Sequence, residues 1–435
     1  MSESTQSATR YALAGDTEGR VEILAALDHG RLVKHVLSAT TGDSFSAEDS
    51  DLVRLSRIRM DAETVRRLVD ALPSLYATDA GVTEAEAARA IDEHAAARSA
   101  DPVDTVLSRL RAYFGLLYHG WAPTMGKNRL VGQVSGGGGT VSFGGGPAPS
   151  PAAAPALQGS PEGRGVVVGV LDTGLAPHPA LAGRYLAAPT DLIADGGSFR
   201  YPAGHGTFVT GLVLQQAPSA AVRAAKVLGD DGQATCWDVA NAIVALAHEG
   251  VNVLNLSFVY YTADGQAPLA LATAVDRLSS DVLVIACAGN HGDPGLKISE
   301  AEHRQPAWPA ALDDVVAVGS AHRCQHGGRG YELSSFTPPG AAWVDLVADG
   351  ENVSSTYLTG TGPSGETFSG GASWSGTSFS AALTTGRVAA TASDEAISVR
   401  EAYEKLLPSL GPGQTGEGTW LPPYLDVAGA AAGGR

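Results

Sequence analysis

The chain has 435 residues, enough for two or three domains. Its 44% hydrophobic and 17% charged residues fit a chain that mostly folds. The 29 basic and 46 acidic residues give a net charge of −17. That sign excludes wrapping nucleic acid or an anionic membrane, and three cysteines exclude a disulfide-stapled scaffold.

MSESTQSATR has neither a basic nor an apolar stretch of the secretory kind. No apolar run reaches the ~18 residues that cross a bilayer. A soluble cytoplasmic protein is expected, with no membrane and no nucleic acid among its partners.

Residues 1–130 read as a small α+β accessory domain, with 19 acidic and 15 basic residues. Arg20–Leu24 and Arg31–Leu37 flank Asp28-His29-Gly30 and predict a hairpin. Helical spacing follows in Asp61–Leu72, through Val65, Leu68, Val69 and Leu72. Residues 83–98 open with Thr83 and Glu86 at capping-box spacing. A third helix is expected over residues 102–117. No catalytic constellation is visible in this region.

Residues 131–163 form a linker, in which 134–160 are Gly, Ala and Pro-rich, uncharged and without periodicity. Residues 164–435 alternate strands and helices. Gly165–Leu171, Val222–Leu228, Val251–Ser257, Asp281–Cys287 and Val315–Gly319 are apolar runs of the kind buried on both faces. A helix starts at Thr235, with Asp238 at capping spacing. The pattern predicts an α/β domain whose parallel central sheet is flanked by helices, ending near residue 410 in a flexible tail. Active sites of such sheets gather at the carboxyl ends of the strands.

Four short motifs carry chemistry. Asp172 ends the first strand in Asp172-Thr173-Gly174, where it is either a turn or cap residue or a partly buried carboxylate in need of a donor. His205, in GHGTFVTG, opens an apolar helix; it is a capping or structural histidine, or a cleft-facing base. Ser378, in SGTSFSAA, precedes another apolar helix, as a cap or as a nucleophile at a helix N-terminus. Asn290 closes the Ala286-Cys287-Ala288-Gly289-Asn290 strand end, where its amide could donate to a developing oxyanion.

Taken together, in the order Asp, His, Asn, Ser, these motifs resemble the subtilisin-like serine proteases over about residues 164–410. The resemblance implies a serine endopeptidase acting through an acyl-enzyme, with no cofactor. Asp172, His205 and Ser378 would form the triad and Asn290 the oxyanion hole. Ser257, Phe258, Ala288 and Gly289 would contact a protein or peptide substrate. A catalytically silent scaffold and an esterase are the competing readings.

Several positions depart from the family pattern. Ala382 replaces a usual proline, and Phe208 a second histidine. The loop after the histidine helix is short, and Ala180 stands where relatives place an aspartate, so the strong calcium site is expected to be missing. Phe258-Val259-Tyr260-Tyr261 is bulkier than in relatives and predicts restricted specificity. His322, Cys324 and His326 alternate but lack a fourth zinc-type ligand, so no metal site is expected. Residues 1–130 would be a divergent prodomain, with the tether cleaved in cis, or a module that docks a partner protein.

Overall fold

The computed structural model describes residues 21–95, 101–133, 148–157, 159–194, 196–262, 264–323, 331–407, 411–414 and 420–427. Cys324 and His326, and residues 134–147 of the tether, lie outside the described residues. Two compact units emerge. The first is Met1–Leu130 joined by Thr235–Asn241 and Pro268–Ala274; the second holds the remainder.

The first unit runs β1 (Val21–Ala26), α1 (Leu27–Thr41), β2 (Ser46–Ser50), β3 (Leu55–Met60), α2 (Ala62–Ala80), α3 (Glu84–His94), α4 (Pro102–Leu117) and β4 (Met125–Lys127). The sheet order is β2-β3-β1-β4, a ferredoxin-like arrangement with three helices after β3. Its core gathers Ile23, Val33, Leu37, Ile58, Leu68, Leu72, Ile91, Val106, Leu110 and Phe114.

The caps agree with the sequence. Asp61 accepts from Thr64 N, and Thr83 and Glu86 form a reciprocal capping box. The expected hairpin is corrected, because Asp28-His29-Gly30 lies within the first turns of α1. Gly30, Val33, Val36, Leu37 and Thr41 are its buried positions, a helical spacing. Gly30 is needed for close approach to β3: a Cβ there would lie 2.6 Å from Ser56 Oγ. The Thr235–Asn241 segment joins through Trp237 and Asp238. The Arg57 guanidinium sits 5.0 Å over the Trp237 ring and 3.7 Å from the Asp238 carboxylate.

The second unit is built on a ten-stranded sheet. Its central strands are β6 (Val167–Asp172), β7 (Ala221–Lys226), β9 (Val253–Leu256), β11 (Leu283–Cys287), β13 (Val315–Arg323) and β14 (Leu346–Ala348). They lie parallel in the order β14-β13-β11-β9-β6-β7. Two helices pack together against this sheet, α5 (His205–Gln216) and α7 (Thr377–Glu395). A smaller sheet lies beside it, with β5 (Leu130–Gln133) between β8 (Gln233–Thr235) and β10 (Phe258–Tyr261), followed by β12 (Ala307–Trp308). The helix α6 (Cys236–His248) begins where β8 ends, and Thr235 Oγ1 accepts from Asp238 N as its spacing predicts.

Between β14 and α7 stands a long hairpin, β15 (Val353–Thr361) with β16 (Thr367–Trp374). One feature differs from expectation. The C-terminal tail contains a strand, β17 (Trp420–Leu425), which extends the sheet beside β14. Tyr424 anchors it by stacking on Tyr331 and donating to Asp349 Oδ1.

Candidate active site

Each motif residue sits where a strand stops or a helix starts. Asp172 is the last residue of β6 and Ser257 follows β9. Ala288-Gly289-Asn290 follows β11. His205 opens α5, and Ser378 is the second residue of α7. The carboxyl ends of the strands therefore face two helix N-termini, whose first N–H groups lack intrahelical acceptors.

The Asp172 carboxylate lies 2.9 and 3.0 Å from His205 Nδ1. A carboxylate accepts, so Nδ1 donates, which in the neutral imidazole puts the lone pair on Nε2. Thr173 N also donates to Asp172 Oδ1, which fixes the carboxylate's orientation. The turn works because residue 206 is glycine: a Cβ there would meet the Gly174 carbonyl at 2.3 Å. Trp374 stands edge-on to the imidazole, and Phe379 packs against both rings. These rings explain a departure from the sequence reading. His205 is fully buried, as are Asp172, Asn290 and Ser378, rather than open to a cleft.

On the other side of the site, Asn290 Oδ1 accepts from both Thr377 N and Thr377 Oγ1, each at 3.0 Å. Thr377 Oγ1 in turn accepts from Gly289 N. With its oxygen engaged, the Asn290 amide group turns Nδ2 toward Gly376, where a Cβ would lie 3.3 Å from it. Ser257 Oγ donates to the Ser378 carbonyl at 3.0 Å and accepts from Asn255 Nδ2 at 2.8 Å. The Ser378 hydroxyl donates to the Ser257 carbonyl at 3.4 Å, while His205 Nε2 has no hydrogen-bond partner.

The structure pairs Asp172 with His205 and gathers Ser257, Gly289 and Asn290 around Thr377-Ser378, whereas the Ala288 side chain packs with Ala321, Ala341, Val344 and Val347, and Phe258 also turns inward. Its ring is fully buried, and its carbonyl accepts from the Cys287 thiol at 3.8 Å. Burial pushes that thiol up to about 12, so it stays protonated and inert. Trp374 escaped the sequence reading, and Thr377 and Phe379 were given no role although both lie inside SGTSFSAA; Tyr261 was visible only as part of the bulky Phe258–Tyr261 segment.

The imidazole of His291, next to Asn290, is buried between Tyr261 and Trp343. Its Nε2 faces the Gln305 carbonyl, and burial lowers its pKa from 6.5 to about 4. The unfolded chain therefore binds the extra proton between those values. This stabilisation is present above pH 6.5 and lost as pH falls toward 4, on the order of 3 kcal/mol in full. Urea unfolding at pH 7 and pH 4.5 should show a larger stability drop in the wild type than in His291→Gln.

No group of three or more His, Cys, Asp or Glu is placed to hold a metal among the described residues. At the position of the expected calcium loss, Ala180 donates its N–H to His178 Nδ1.

A model of the subtilase family matches residues 163–407. The chain belongs to the subtilase family. It is 33% identical over 204 residues to subtilisin BL of Lederbergia lenta, covering 45% of this chain and 67% of that protein. It is 33% identical to an alkaline protease of Shouchella clausii over 45% of this chain but only 48% of that protein. An intracellular serine protease of Paenibacillus polymyxa is 30% identical over 48% of this chain and 63% of that protein. Among solved structures, a serine-to-alanine form of the protease domain of PatA superposes with a TM-score of 0.50. It is 24% identical and covers 63% of this chain and 97% of that one, a likeness of fold.

The chain is thus a subtilisin-like serine endopeptidase, and its substrates are peptides or proteins. As in any subtilase, the chemistry is acyl transfer to a serine and then to water.

Proposed function

We propose that this subtilase uses Ser378 as nucleophile, His205 as general base and Asp172 as the group that orients the imidazole. Ser378 attacks the peptide carbonyl as His205 Nε2 takes its proton. The tetrahedral oxyanion is held by Asn290 Nδ2 and the Ser378 backbone N–H. His205 then protonates the leaving amine, and water hydrolyses the acyl-enzyme. The observation that carries this reading is the two-oxygen Asp172–His205 contact, with Ser378 at the head of the helix that packs on α5. For the unpartnered Nε2 to receive the proton, the Ser378 hydroxyl must rotate away from the Ser257 carbonyl. Ser257, Ala288 and Gly289 would line the bound peptide's path, and Phe258 would back the strand from within.

The N-terminal region is best read as a prodomain, with cleavage in the tether beyond Gln133. Supporting this, Gly132 and Gln133 pair antiparallel with Val259 and Phe258. An extended segment added to a strand edge is a common way to hold a peptide, and this one runs toward Ser257. Purified protein incubated alone should release an N-terminal fragment ending beyond Gln133, and the Ser378→Ala form should stay whole. Equal cleavage of both forms would refute processing in cis. A docking role would show instead as a stable full-length protein with full peptidase activity.

A cytoplasmic location is proposed on the likeness to the intracellular relative. No described helix is long and apolar enough to cross a membrane. Fractionation of host cells tests it.

A further inference from the structure

This inference rests on the proposed catalytic assignment and deepens it. If Ser378 and Asn290 mark the scissile carbonyl, then Ser257, bonded to the Ser378 carbonyl, and Gly289, bonded to Thr377, are the strand ends that would flank the side chain on the acyl side of that bond. What fills the space there decides which peptides are cut.

Strand β10 and its approach alternate faces. Ser257, Val259 and Tyr261 share one face, and Phe258 and Tyr260 share the other. In an antiparallel ladder, a residue opposite Ser257 projects on the same face as Ser257, and hence as Tyr261. On that face Tyr261 is 6% exposed. Gly289, held at φ +88°, has no side chain, yet the space beside it is occupied. A Cβ at Gly289 would lie 2.5 Å from the Tyr261 hydroxyl and 2.9 Å from His291 Nδ1.

The tyrosine cannot easily swing aside. Its ring packs edge-to-face on His291 at 4.6 Å, and His291 is held by the Gln305 carbonyl and parallel to Trp343. Backbone pairing of Tyr260 and Tyr261 with Trp308 and Ala307 fixes the strand beneath it. Trp308 is tied by its indole N–H to Thr262 Oγ1. Displacing the Tyr261 ring would disturb the packed series Tyr261, His291 and Trp343.

We propose that Tyr261 is a specificity-determining residue, which closes the acyl-side pocket against Gly289 and restricts cleavage to bonds preceded by glycine, alanine or serine. A phenylalanine or leucine in that position would have to occupy volume already held by the Tyr261 hydroxyl. Pocket discrimination by size is worth roughly 10- to 200-fold per methylene-sized difference, so a whole ring should be strongly refused.

The test uses the full chain and quenched fluorescent peptides that differ only in the residue preceding the cleaved bond: Gly, Ala, Ser, Leu or Phe. The wild type should favour Ala over Phe by more than about tenfold in kcat/KM. Tyr261→Ala should shift the Phe-to-Ala ratio upward by about tenfold or more. Tyr261→Leu, which keeps apolar bulk in the core but is shorter, should move the ratio the same way and serves if the alanine form does not fold. Equal cleavage of Ala and Phe peptides by the wild type would overturn the proposal, and so would an unchanged ratio in either soluble variant. Inactivation by a fluorophosphonate is read in parallel. A wild type that reacts yet does not discriminate sinks the pocket claim alone, whereas a wild type that does not react sinks the catalytic assignment.

Discussion

Replacing Ser378 by alanine should lower turnover by ~10⁶, the figure known for the subtilisin nucleophile rather than one obtained from this structure. The reason lies in the site. Ser378 stands at the first turn of α7, where its hydroxyl can exchange the Ser257 carbonyl for His205 Nε2 as acceptor. Alanine removes the attacking oxygen but keeps the helix start, since Ser378 provides no side-chain cap there. The variant should therefore fold normally and bind peptide. Its kcat, measured against a quenched peptide, should collapse while the melting temperature stays near that of the wild type. Retention of even one-tenth of the activity would refute the nucleophile assignment.

Replacing Asp172 by asparagine should cost ~10⁴ in kcat, a magnitude taken from serine proteases in general. Here both carboxylate oxygens lie within 3.0 Å of His205 Nδ1. An asparagine is nearly isosteric, so the fold should survive, but its amide can donate where the carboxylate only accepts. The imidazole can then place its proton on Nε2, which leaves no lone pair for the serine proton. The variant should also lose the electrostatic support of the imidazolium that forms in the transition state. A split measurement checks this: kcat should fall steeply while KM changes little. An equal loss in Asp172→Ala and Asp172→Asn is compatible with this account. Normal kcat in Asp172→Asn is not.

Much of the fold could be read from residue patterns, for identifiable reasons. The strands β6, β9, β11 and β13 are buried on both faces, so each is a continuous apolar run. Helices α2 and α3 carry side-chain caps that leave their own signature three residues apart. Strand β2 left no such trace. Its Ser-Ala-Glu-Asp-Ser run is almost wholly exposed and is held by backbone pairing to β3 and by the Glu48–Arg57 contact. Asp28-His29-Gly30 is turn-like in isolation and suggests a hairpin where α1 runs. The packing of Gly30 on Ser56 is a tertiary fact that overrides the local signal.

The site divides the same way. Asp172, His205, Asn290 and Ser378 were legible because each lies in a compact motif of fixed chemistry. The groups that orient and enclose them were not. Trp374 reaches His205 through a hairpin inserted before the serine helix, and Tyr261 reaches Gly289 across two strand ends. Both contacts depend on strand register, which no local motif encodes. The bulk of the Phe258–Tyr261 segment was visible in the sequence. Which of its four side chains faces the substrate was not.

The catalytic claim is tested most directly by mapping where a fluorophosphonate attaches. Protein inactivated by the reagent is digested, and the modified peptide is sequenced by mass spectrometry, alongside the His205→Ala form. The account predicts a single adduct on Ser378 in the wild type and no rapid adduct without His205. An adduct on any other serine, or equally fast labelling of Ser378 in the His205→Ala protein, would contradict it.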